Sequence, residues 1–65
     1  MYKICYEKKF LAGALEGLEI PCHFNVSMEN AAAYVQSLER CTVATPGRDV
    51  YTQAPYAVSN IRVEA

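Results

Sequence analysis

The soft and nucleophilic side chains of this chain are few: Cys5, Cys22, Cys41 and a single histidine, His23. A structural zinc takes four such ligands, usually in pairs with two to four residues between them. No such pair exists here, because Cys22 and His23 are adjacent. On a strand, neighbours point to opposite faces and cannot reach one ion without a bulge. The cysteines are therefore expected to act as small buried apolar side chains, and neither a metal nor a cofactor is expected. Cys5 and His23 offer a sharper pairing. If two strands set them opposite each other, their Cβ atoms lie about 5 Å apart, and a thiol beside an imidazole can be activated as a thiolate nucleophile. No third orienting group and no oxyanion site can be read from the chain. The plainer reading is a polar-face histidine near a semi-exposed thiol. The chain is expected not to be an enzyme, with thiol-dependent catalysis as the outlying alternative.

Five tyrosines and two phenylalanines bring a second chemistry into view. Tyrosines beside basic residues can stack on single-stranded nucleic acid. Most of these aromatics share parity with the apolar residues, however, and read as core. Tyr51 and Tyr56 are less constrained. Lys3, Lys9 and Arg62 share a prospective open sheet face with Glu7, Glu19 and Glu64, which dilutes any attraction for phosphate. The formal net charge is −1, from 6 basic and 7 acidic residues, so the basic footprint of a nucleic-acid binder is absent. A small nucleic-acid-binding regulator is the alternative reading, and nucleic acid is not the expected partner. The residues set aside for partner binding are Lys3, Cys5, His23, Tyr51 and Arg62.

The elements that must position these residues follow from periodicity. Residues 2–10 alternate, with Tyr2, Ile4, Tyr6 and Phe10 on one face and Lys8 as the exception; residues 18–26 alternate more cleanly. Between them, Gly13 and Gly17 suit a wide hairpin loop. The G-x-x-x-G spacing has meaning in a membrane helix, but the uncharged stretch that begins at Phe10 ends at Leu15, far short of the ~20 residues a span requires. Pairing residues whose numbers sum to 28 sets Ile4 against Phe24, Tyr6 against Cys22, Phe10 against Leu18 and Lys9 against Glu19. A one-residue slip would put the apolar sets on opposite faces. Pro21 lacks an N–H and places the second strand at an edge, with the first further inside.

Ser27 is the expected N-cap of a helix, with Glu29 in its first turn. Ala31, Tyr34, Val35, Leu38 and Cys41 form the apolar stripe, and the helix ends near Arg40 or Cys41. Residues 42–45 are expected as a short strand, 46–49 as a turn, 50–53 as a returning strand, and 61–64 as a final strand. Residues 56–60 fit either a helical turn or an extended segment. The order is β-β-α-β(-β): an α+β domain with one helix on a sheet of three or four strands, in the element order of a β-grasp.

Sixty-five residues make one expected domain, 1–65, whose core supplies only about 3–5 kcal/mol unaided. With 52% apolar residues, apolar surface is left over, and self-association as a homodimer is expected. No small-molecule substrate is evident. Three widely spaced cysteines argue against a disulfide framework, and residues 2–9 lack the apolar run of a secretory leader. A cytoplasmic, non-membrane protein is expected, in the host cytoplasm if phage-encoded.

The run Phe10-Leu11-Ala12-Gly13-Ala14-Leu15-Glu16-Gly17-Leu18 has the pattern F-x-x-G-x-L-x-G-L. It follows a Tyr/Lys-rich strand and precedes an alanine-rich helix, and in this it resembles small accessory proteins of phages and prophages. The resemblance covers about the first half of the chain. It implies an accessory or host-interaction role and transfers no catalytic residue.

Overall fold

A computed structural model describes all 65 residues. The elements are β1 (Tyr2–Phe10), β2 (Glu19–Val26), α1 (Met28–Glu39), β3 (Gly47–Arg48) and β4 (Pro55–Glu64). The strands form one antiparallel sheet in the order β2-β1-β4-β3. The expected α+β class holds, and of the three or four strands expected, four form. The expected place of β2 at an edge with β1 inside holds also.

The hairpin closes where the glycines allow it. Gly13 and Gly17 have φ of 89° and 86°, in the left-handed region open to glycine. The Gly17 N–H donates to the Phe10 carbonyl at 2.9 Å, and the Phe10 N–H donates to the Leu18 carbonyl at 3.0 Å. The expected register results, with Ile4 opposite Phe24, Cys5 opposite His23, Tyr6 opposite Cys22 and Lys9 opposite Glu19. Hydrogen-bonded and non-bonded pairs alternate along an antiparallel ladder. Counting from Phe10, the nitrogen of Pro21 therefore turns outward to the free edge, where its missing proton disrupts nothing.

Chain order beyond the helix differs from expectation. Residues 46–49 are not a turn, because Gly47 and Arg48 pair with Tyr56 and Pro55 as β3. Residues 42–45 are not a strand. They form a bend closed by the Thr45 N–H on Thr42 Oγ1 (3.1 Å) and the Thr42 N–H on the Thr45 carbonyl (3.2 Å). Residues 50–53 belong to the turn between β3 and β4. The Asp49 carboxylate accepts the N–H groups of Tyr51 (3.1 Å) and Thr52 (2.9 Å), a local turn that overrides the strand preference of valine, tyrosine and threonine. Residues 56–59 are extended and run through an irregularity at Asn60 into the final strand, so β4 is a single element with Pro55 at its first position. Asn60, at φ 58°, sits at the register shift that faces the Cys5–Glu7 stretch of β1. Asparagine is among the few residues that enter this region readily.

Ser27 stands at the helix N-cap as expected, but its hydroxyl caps no backbone N–H and instead accepts from Asn30 Nδ2 at 3.1 Å. The helix lies over β4 and β1. Ala31, Val35, Leu38 and Cys41 are half-buried beneath it, and no helix residue is fully buried. The apolar core is small: Ile4, Phe10, Val26 and Cys5, all at or below 9% exposure. The molecule is elongated, 35 × 20 × 19 Å. No helix is long and apolar enough to cross a membrane.

Gly47 is required by packing. A Cβ there would stand 2.7 Å from Tyr56 Cζ and 2.9 Å from Cys41 Sγ. Gly47→Ala is expected to destabilise the domain by about 1–3 kcal/mol, read as a lower urea midpoint at unchanged slope.

Candidate functional site

The sheet gathers four of the five residues singled out for partner binding. Across the open face, away from the helix, Cys5 has His23 on one side and Arg62 on the other; in the next row Lys3 lies between Asn25 and Glu64. The rows beyond are Pro21–Glu7–Ser59 and Glu19–Lys9–Ala57. Tyr51 does not join them. It sits in the turn after β3, at the end of the sheet where Phe10 pairs with Tyr56, opposite to Lys3.

Cys5 is not the semi-exposed thiol that the sequence suggests. Strands pair with β1 on both sides, so its side chain is enclosed between two neighbours and is 9% exposed. The Arg62 guanidinium donates to the Asn60 carbonyl at 3.1 Å, and Asn60 Nδ2 donates to Glu7 Oε2 at 2.7 Å. The face is thus a polar surface of alternating sign, fixed at the bulge. Lys9, Glu19, Thr42, Val43, Ala57 and Ser59 border a shallow cleft of about 330 Å³ on it. No three His, Cys, Asp or Glu side chains converge as metal ligands.

On the helix side the sequence reading missed a pair. Lys8 Nζ meets Asp49 Oδ1 at 2.6 Å, with both side chains largely buried. The ammonium lies 4.3 Å from the centre of the Tyr56 ring and 5.3 Å from that of Phe10, a favourable placement against the negative faces of the rings. The other oxygen, Asp49 Oδ2, accepts from the Tyr51 and Thr52 N–H groups and from Thr52 Oγ1 at 3.2 Å. Lys8 first, and then the Thr52 N–H, hold the Asp49 carboxyl far below its usual range. The one signal in the sequence was Lys8 itself, the charged residue on an otherwise apolar parity, for which burial demands a partner. The turn so fixed projects Val50 and Tyr51 into solvent at 77% and 91% exposure.

Further along the same side, Tyr6, Phe24 and Tyr34 form an edge-to-face series with centroids 6.2 and 5.1 Å apart, the arrangement that aromatic quadrupoles favour. Burial, and then Cys22, pushes the Tyr6 phenol up to about 12. Burial and Cys41 raise Tyr56 also, against the opposing pull of Lys8. Tyr34 is still 47% exposed. The aromatic cluster therefore has an open flank at β2.

No family model matches the chain, and no curated protein or solved structure matches it.

Two pH effects follow. A carboxyl depressed below 3.8 supplies stability that is whole above about pH 4 and fades as the pH falls towards its folded-state value. Asp49→Asn is expected to lower the melting temperature at pH 7, with the gap to the parent protein narrowing below pH 4. Tyr6 acts at the other end: its contribution is whole below about pH 10 and is lost as the pH rises through its raised value. In an absorbance titration, Tyr6→Phe should remove a phenol that ionises near 12.

Proposed function

We propose that this chain is a small non-enzymatic protein-interaction protein, an accessory or regulatory protein of phage or mobile-element type, that acts in the cytoplasm as a homodimer. The observation that carries this reading is a mismatch between apolar content and burial. Half of the residues are apolar (52%), yet only four apolar side chains are buried and none of them belongs to the helix. Apolar surface left over in this way is the usual substrate of association. The F-x-x-G-x-L-x-G-L segment from Phe10 to Leu18, which forms the hairpin turn, supports the accessory role. The element order and the edge position of β2 favour a β-grasp-like reading, as architecture alone, while the antiparallel pairing of β1 with β4 departs from the parallel central pair of that arrangement.

The open face supplies a second, polar surface for a protein partner, with Lys3, His23 and Arg62 exposed around the enclosed Cys5. Its charges alternate in sign, with Lys3 opposite Glu64 and Lys9 opposite Glu19. That pattern favours a protein surface over a phosphate backbone.

Sedimentation equilibrium of the purified chain tests the reading. A species of twice the 7.2 kDa chain mass, dissociating on dilution, is expected. A strict monomer at high concentration would remove the homodimer.

A further inference from the structure

β2 is a free edge along its whole length, and native proteins normally guard such edges with charge or cover. Here residues 20–28 carry no lysine, arginine, aspartate or glutamate. Its guards, Glu19 at the first position of the strand and Pro21 with its nitrogen facing outward, both stand at one end and leave residues 22–26 bare. The ladder alternation that turns Pro21 outward also turns the N–H and C=O groups of His23 and Asn25 outward, without partners in the sheet. On the helix side, Ile20, Cys22 and Phe24 are only half-buried, because α1 lies over β1 and β4. Tyr34, packed 5.1 Å from Phe24, extends this uncovered strip.

The strand is also symmetric in its chemistry about Phe24. His23 and Asn25 are the polar neighbours on the open face, and Cys22 and Val26 are the apolar neighbours on the helix side. A two-fold interface requires a surface to complement itself, and this strand does so with no like charges opposed.

We propose that the occupant of this edge is a second copy of the chain, with β2 pairing antiparallel to β2 about a two-fold axis at Phe24 and the two four-stranded sheets joined into one. This deepens the homodimer reading above and rests on it. In this register His23 exchanges both backbone hydrogen bonds with Asn25 of the partner subunit, and Asn25 does the same with His23 of the partner subunit. Cys22 lies opposite Val26 of the partner subunit. Phe24 meets its own copy at a non-hydrogen-bonded site, where side chains approach closely. Pro21 argues against the neighbouring register: centring the axis on His23 would oppose the proline nitrogen, which has no proton, to Asn25 of the partner subunit, whereas the axis at Phe24 sets the proline beyond the end of the facing strand.

The test combines sedimentation with amide hydrogen exchange on the intact chain. Expected is a dimer in which the His23 and Asn25 amides exchange roughly a hundredfold more slowly at high concentration than at low. Asn25→Pro removes an outward N–H that β1 does not use. It should give a monomer with an unchanged far-ultraviolet circular dichroism spectrum. Should that variant fail to fold, the paired double variants H23E/N25E and H23K/N25K, both at exposed positions, carry the test. Each alone should be monomeric, and mixing the two should restore the dimer. A dimer whose His23 and Asn25 amides exchange at the same rate at every concentration overturns the β2 interface and leaves the homodimer standing. So does a dimer that survives in folded Asn25→Pro or in either charged variant alone. A strictly monomeric parent chain overturns both.

Discussion

The double pairing of β1 is the constraint on which the molecule depends. Hydrogen bonds run along both of its edges, to β2 and to β4. It also carries Ile4, Cys5 and Phe10, three of the four buried apolar side chains. With the helix contributing only half-buried contacts, order in this domain is a property of the sheet before it is a property of the core. A sheet of this kind is held in register by whatever penalises a slip. Here that is the parity of the apolar side chains together with Lys8, whose charge has a partner at one place only. Burying an ion pair is weak evidence for net stability, since desolvation offsets much of the attraction. Its effect is better described as selection: a shifted β1 would leave an ammonium on the apolar side without its carboxylate.

The hairpin was legible because each of its determinants is local or one strand away: alternation, two glycines, an edge proline and complementary pairs. The helix boundaries were legible for the same reason. Residues 42–60 were not, because the deciding interactions are remote. Asp49 answers to Lys8, 41 positions earlier, and Gly47 answers to the ring of Tyr56. Propensity placed a strand at 50–53, where a carboxylate organises a turn, and a turn at Pro46-Gly47, where a tyrosine needs space. Cys5 shows the same limit at the candidate site. Its neighbour His23 could be paired on paper, but its burial depends on Arg62 and the second neighbouring strand.

The two ends of the sheet differ in character. One end is bound together by the Lys8–Asp49 pair, the Asp49-centred turn and the Arg48 guanidinium on the Gln53 carbonyl at 2.8 Å. It holds Gln53 in the left-handed region at φ 62°, a conformation that persists only where its surroundings enforce it. The β2 edge has little of this reinforcement, with an aromatic cluster that is closed on one side only. Rigidity and unsatisfied surface thus lie in different parts of the same sheet.

The pairing of β1 with β4 joins the first strand of the domain to the last, and this determines how the chain must fold. The hairpin and the helix close over short separations and can form early. The β1–β4 ladder must pay the loop-closure entropy of nearly the whole domain before any of its contacts form. Non-local pairing of this kind closes more slowly than the local contacts of the hairpin and the helix. Until it closes, the inner edge of β1 is bare and Cys5 is open to solvent. The enclosure of this thiol, 9% exposed in the finished domain, is therefore a product of the closure of the first strand against the last, and its accessibility is a direct report on that closure.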